Sequence, residues 1–285
     1  FFSYGLAALG LNLLFGYTGL LSFGHALFLS LGTYTAAFTT HQFGIRSMEI
    51  ILLLAALISA LVAMPIGALC VRYVKIYFSM LTLAFGMLFW SFLIKFSSIT
   101  GGDQGILIKD IHILGTLITS RDYIGFLTGP YYYYSATLVI VLAYVMWRIV
   151  HSPFGLCLRS IRDNPIKAES LGISVKRYRW YAFLISAVYA AIGGVLLAPV
   201  IRLAEPTLAY WTQSGFIVFM TLLGGFNNFF GPLLGTFVFI YLQDWVMSLV
   251  PYWRFVFGAI LLLLVIFAPT GLVGILTSLS KKLRI

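Results

Sequence analysis

Among the ionisable side chains within or at the ends of long apolar runs in this sequence, His25, Asp244 and Arg254 are the intramembrane candidates. Charged or titratable groups at membrane depth are costly, and where they come in sets they mark proton relays or ion paths. No such set is spelled out here. Asp244, near the end of one run, and Arg254, opening the next, are placed to form a structural ion pair across a hairpin. His25 stands among Ser22, Gly24 and Ala26, where a lone imidazole either makes a packing hydrogen bond or, at a glycine-rich break, lines a pore. Carboxylate pairs and histidine clusters are missing from the apolar runs, which argues against a proton-coupled carrier.

Phosphate chemistry is excluded on similar grounds. A P-loop needs a lysine directly after a glycine, and no lysine in the chain follows one. If transport is driven by ATP, another polypeptide hydrolyses it, so no cofactor is expected in this chain and ATP is expected on partner subunits. The two cysteines, Cys70 and Cys157, have no C-x-x-C spacing or nearby histidine pair, so they build neither a disulfide framework nor a metal site. A membrane enzyme finds no nucleophile–base pair to work with.

The elements that carry these residues are set by composition. Of 285 residues 61% are hydrophobic and 9% charged, with a mean hydropathy of +1.01. A soluble domain carries about 25% charged residues. The chain therefore reads as an all-α polytopic membrane protein, with room for about nine or ten spans. Apolar runs lie near Phe2–Phe15, Leu20–Thr39, Ile50–Val71, Ile76–Phe96, Ser135–Val150, Tyr181–Val200, Ser214–Gly224, Leu233–Leu249 and Phe255–Ala268. They are continuous rather than alternating, which favours helices over a barrel.

One long basic stretch interrupts the pattern. Between Arg148 and Trp180 fall Arg148, Arg159, Arg162, Lys167, Lys176, Arg177 and Arg179, against Asp163 and Glu169. Placing this stretch in the cytoplasm puts Arg72, Lys75, Lys281, Lys282 and Arg284 on the same side. The acids Asp103, Asp110, Asp122 and Glu205 then fall on the other, as the positive-inside rule requires. The net charge of +10 is thus a topology signal, and no nucleic-acid partner is expected. Within the stretch Asn164 can cap a helix, Pro165 suits its first position and Gly172 can end it. That short helix either docks on a soluble partner or belongs to an ordinary basic loop.

Two of the runs are short for a bilayer of roughly 30 Å. The first stops at Gly16-Tyr17-Thr18-Gly19, and the seventh at Gly224-Gly225-Phe226-Asn227-Asn228. Short, glycine-interrupted spans in transporters mark discontinuous helices whose backbone lines a solvated path. Gly16, Gly19, Ser22, His25, Gly224, Gly225 and Asn227 are therefore the translocation-path candidates. Gly101, Gly102 and Asp103 form a flexible segment at the outer face, able to shape the mouth of that path or to touch a delivering protein. Ser186, Ala190 and Gly194, four apart, let another helix approach closely.

Taken together, GLNLLFGYTGLLSFGHALFLSLGTYTAAF, YFSMLTLAFGMLFW leading to TGGDQG, SPFGLCLRSIRDNPIKAESLGISVKRYRWYAF, LLGGFNNFFGPLLGTFVF and FAPTGLVGIL resemble the LivM-type permease of branched-chain amino-acid ABC importers. The match follows the family's order over nearly the whole chain. It implies one transmembrane permease domain over residues 1–285 with a cytoplasmic coupling loop at about 151–179, in the inner membrane of a bacterium, and a further span before Phe1. It also implies a LivH-like second permease, two cytoplasmic ATPase subunits and a periplasmic solute-binding protein. In that frame Asn164, Pro165, Lys167, Ala168, Glu169, Leu171 and Gly172 form the coupling helix seated on an ATPase. The chain departs from the family at Asn227, Asn228, Phe229 and Phe230, where small residues are usual. Branched-chain amino acids are the expected solute, beside a competing reading as a passive channel for a small neutral solute such as urea or an amide.

Overall fold

A computed structural model describes residues 1–73, 76–114, 123–267 and 271–274. Lys75, Asp122, Ala268 and the tail with Lys281, Lys282 and Arg284 lie outside the described residues, and with them the expected side of the C-terminus. The described chain is mostly helical. In order the helices are α1 (Phe2–Thr18), α2 (His25–His41), α3 (Met48–Cys70), α4 (Ile76–Lys95), α5 (Ser97–Thr100), α6 (Tyr123–Thr128) and α7 (Pro130–Val150). They continue with α8 (Pro153–Asp163), α9 (Pro165–Ser170), α10 (Val175–Ile201), α11 (Trp211–Gly224), α12 (Gly231–Leu249) and α13 (Trp253–Phe267).

A helix occupies each apolar run, but five segments are long and apolar enough to cross a membrane among the described residues: Met48–Cys70, Ile76–Lys95, Tyr123–Val150, Val175–Ile201 and Gly231–Leu249. The expected count of about nine spans is therefore met only in this coarser form. α1 and α2 have 17 residues each, and α11 has 14, about 21 Å of helix.

The centre of the fold is α10, packed against α1, α2 and α3. Small residues make this possible. A Cβ on Gly194 would run into the carbonyl of Leu29 on α2, and one on Gly32 would meet the carbonyl of Ala191 on α10. Gly10 of α1 lies against the carbonyl of Ser186, at 2.8 Å from the place of a Cβ. The small-residue stripe of α10 thus serves packing within the subunit, where dispersion between close backbones replaces the hydrophobic drive that lipid removes.

Several boundaries differ from the sequence reading, each for a local reason. The second helix begins at His25 rather than Leu20, because Leu21 and Phe23 are drawn into bonds with α4: Phe23 N–H donates to Thr82 Oγ1 at 3.2 Å and Ser79 Oγ to the Leu21 carbonyl at 2.6 Å. The basic stretch holds two helices rather than one. Ser152 and Pro153 start α8 directly after α7, with Gly155 pressed on the Val150 carbonyl. The chain is also not purely helical: Ile106–Leu107 pairs antiparallel with Leu203–Ala204, where Gly105 (φ 69°) lets the two loops close against each other. Asp244 and Arg254 form no ion pair. The Arg254 guanidinium lies over the Trp253 ring, 5.4 Å from its centroid, while Asp244 sits five residues before the end of α12, more than a helical turn away from the hairpin.

Candidate functional site

The basic stretch folds as a bent lever. Asn164 ends α8 and caps α9, its side chain accepting from Lys167 N–H at 3.1 Å, which satisfies one of the orphan donors of the first turn. Pro165 takes the first helical position. Gly172, in the left-handed region at φ 84°, closes the helix: its N–H reaches the Glu169 carbonyl and Ile173 N–H the Ala168 carbonyl, the pairing of a Schellman motif. Ala168 is buried in a small cluster with Ile161 of α8 and Val175 of α10. Lys167 and Glu169 are exposed, and so are Ile166 and Leu171, each 79% accessible. Two large apolar side chains on so small a helix cost solvation unless something covers them.

The two glycine-rich breaks meet beside this lever. α1 continues through Gly16 to Thr18 and is ended by Gly19 at φ 73°. Gly16 has no room for a side chain, because the Phe226 carbonyl and Asn12 Oδ1 fill the place of a Cβ, and the rings of Phe15 and Phe226 lie 4.6 Å apart. On the other side Gly224 packs on Gly231, and Gly225 turns the chain at φ 101°. Arg162, at the end of α8, joins both breaks: Nη1 donates to the Gly16 carbonyl at 2.5 Å and lies 3.4 Å from Asn227 Oδ1. Gly19 lines a cavity of about 520 Å³ with Leu21, Phe23, Ile76, Ser79 and Met80.

Gly16, Gly19, Gly224, Gly225 and Asn227 are thus brought together. Ser22 and His25 lie behind them. Ser22 is fully buried and accepts the Gly24 N–H at 3.3 Å. His25 is also fully buried, with Nε2 2.5 Å from Ser186 Oγ. Since that hydroxyl donates to the Gly10 carbonyl, it accepts from His25, which fixes the proton on Nε2. Nδ1 has no partner among the described residues. His25 thus makes a buried hydrogen bond that joins α2 to α10.

Gly101, Gly102 and Asp103 lie at the far end of the helices. Gly101 and Gly102 have positive φ (76° and 57°), and Asp103 is exposed in a short 3-10 turn. Nearby, Arg202 binds Asp110 at 2.6 Å and covers the Tyr123 ring at 4.4 Å.

Sequence reasoning missed α8 and with it Arg162. The signal was present: Gly155, Leu158 and Ile161, three apart, are the buried residues of α8, and Arg159 and Arg162 share the same spacing one place on. Ser186 was read as a small residue for packing, not as the partner of His25.

Comparison with known proteins places these features in context. Residues 1–265 match the model of a family described as the branched-chain amino acid transport system permease component. The high-affinity branched-chain amino acid permease LivM of Salmonella typhimurium is 29% identical over 94% of this chain and 67% of the relative. The guanosine permease NupQ of Bacillus subtilis is 32% identical over 58% of this chain and 50% of its own length. The probable permease LivH of Methanocaldococcus jannaschii is 23% identical over 98% of this chain and 90% of its own. No solved structure matches the chain significantly.

Proposed function

The chain belongs to the branched-chain amino acid transport system permease family, a family of ABC importer membrane subunits, and from that premise we propose that α8 and α9 couple its spans to a separate ATPase. The observation that carries the reading is the capped helix α9, which leaves Ile166 and Leu171 exposed and packs on α8, whose Arg162 touches both glycine-rich breaks.

In this reading residues 1–285 act as one permease domain, the loop at about 151–179 faces the cytoplasm of a bacterial cell, and two ATPase subunits bind ATP. A LivH-like chain completes the membrane part, and a periplasmic protein delivers the solute, with Gly101–Asp103 on its side. Closure of the ATPases moves α9. Because Ala168 is locked to Ile161 and Val175, the motion passes to α8 and α10 and reaches the breaks. The cavity at Gly19 and the contact of Gly16 with Phe226 mark the inner end of the path.

The solute we propose is a branched-chain amino acid, supported by the LivM relative that spans 94% of the chain; the guanosine permease matches a shorter part. The test is affinity purification of the tagged chain from its native membranes, then uptake of radiolabelled leucine and guanosine by the recovered complex in liposomes. Leucine uptake that needs ATP, with a P-loop ATPase that is lost when residues 164–172 are deleted, supports the proposal. Guanosine uptake would move the solute to the nucleoside class. Recovery of the chain alone, conducting urea without ATP, would replace the importer by a channel.

A further inference from the structure

We propose that Arg162 is a latch: its guanidinium holds the inner ends of the two glycine-rich breaks together, and displacement of α8 by the coupling helix opens it. The inference rests on the coupling role proposed above for α8 and α9.

The geometry at Gly16 is the starting point. The last four carbonyls of a helix have no intrahelical partner. Gly19 N–H returns to the Phe15 carbonyl and Leu20 N–H to that of Leu14, while the Gly16 carbonyl receives the Nη1 of Arg162. A cation at a helix C-terminus also meets the negative end of the helix dipole. Arg162 therefore satisfies a backbone group that α1 leaves open.

The same guanidinium touches the second break. Asn227 Oδ1 lies 3.4 Å from Nη1, and Asp163 Oδ1 lies 3.4 Å from Nε, which orients the plane. A planar fork with five donors can serve several acceptors in fixed directions, whereas a lysine offers a compact point charge at the end of a flexible stem. Gly19 makes room for the stem: a Cβ there would lie 3.2 Å from Arg162 Cγ. Two chain segments are thus closed on each other by one side chain that belongs to neither. That side chain follows Ile161, the residue that locks α8 to Ala168 of α9. Tilting α9 pulls on Ile161 and withdraws its neighbour from Gly16.

Arg159 supplies the control. It shares α8 and its charge, but lies over the ring of Tyr17, 5.2 Å from the centroid, without bridging the breaks.

The test uses the complete importer in membrane vesicles, with Cys157→Ser and a reporter Thr18→Cys. Thr18 is buried at the end of α1, and the remaining Cys70 is buried as well. Labelling by a membrane-impermeant maleimide from the cytoplasmic side reads opening of the inner end. Arg162→Gln should raise the labelling rate roughly tenfold, the effect of losing one charge-assisted hydrogen bond on a local opening equilibrium. Arg162→Lys, which keeps the charge but not the planar fork, should fall between, and it carries the test if the Gln variant does not assemble. Arg159→Gln should stay near the parent.

Equal labelling in Arg162→Gln and parent would overturn the latch, as would an equal rise in Arg159→Gln. Retention of the ATPase on the same membranes separates the two readings. A reporter that opens in Arg162→Gln, with an ATPase that binds without residues 164–172, leaves Arg162 holding the breaks together and overturns its opening through α9. A reporter that stays closed, with an ATPase lost on that deletion, does the reverse.

Discussion

The Nε2 atom of His25 lies 2.5 Å from Ser186 Oγ, and that hydroxyl donates a hydrogen bond to the carbonyl of Gly10 at 2.6 Å. One chain of two hydrogen bonds thereby ties the first residue of α2 to α10 and α1. Ser186→Ala leaves the His25 N–H buried without a partner, which costs about 1–3 kcal/mol. Thermal unfolding in detergent should show the loss. His25→Phe should lower uptake while the complex still assembles; normal uptake in that variant would confine His25 to packing.

Glycines of different surroundings should respond in opposite directions. Gly194→Ala sets a methyl group against the Leu29 backbone, which cannot retreat as a side-chain tip would. A loss of several kcal/mol is expected, on the order of the larger overpacking penalties, with little folded protein in the membrane fraction. Gly215, in α11, has nothing within 4 Å of a Cβ, so Gly215→Ala should stabilise by about 0.5–1 kcal/mol through helix propensity. Comparing the melting temperatures of the two variants checks both signs.

The exposed pair on α9 separates docking from folding. Ile166→Asp and Leu171→Asp change side chains that are 79% accessible, so stability should move by no more than about 0.5 kcal/mol. ATPase retention on washed membranes should fall by an order of magnitude, as it does when an apolar anchor of an interface is lost. Unaltered retention in the double variant would show that α9 is not the docking element.

Asn164→Ala removes the cap of α9, worth about 1 kcal/mol. A glycine inserted after Ala168 goes further, because it shifts the Schellman closure at Gly172 out of register. Both should reduce ATP-driven uptake without reducing the amount of chain in the membrane, the insertion nearly to background. Uptake at the parent rate in the insertion variant would refute the lever.

At the far end, the Arg202–Asp110 pair is about one-third exposed on the acid side. Asp110→Asn should therefore cost under about 1 kcal/mol. Arg202→Ala also loses the cover over Tyr123 and should cost more. Denaturation midpoints of the two variants decide the order.

How much of this was legible in the sequence depends on range. The cap of α9 could be read from Asn164, Pro165 and Gly172, since its bonds stay within about eight residues. The breaks announced themselves as glycine clusters. What could not be read was that they touch: Gly16 and Phe226 are far apart in the chain, and nothing local to either encodes the meeting. Likewise Ser186 looked like a packing residue because its two partners, His25 and Gly10, lie on other helices. The Asp244–Arg254 pair failed for the converse reason. Nearness in sequence suggested an ion pair, but Asp244 sits more than a helical turn before the end of α12.

The contacts of α10 with α1 and α2 bear on how the molecule can move. Helices that meet through long side chains can slide, because rotamers absorb the shift. Helices that meet backbone to backbone, as at Gly10, Gly32 and Gly194, have no such slack. α1, α2 and α10 therefore behave as one rigid block. A transport stroke has to be taken up around that block, at α4 and at the α11–α12 hairpin, where Gly225 already bends the chain.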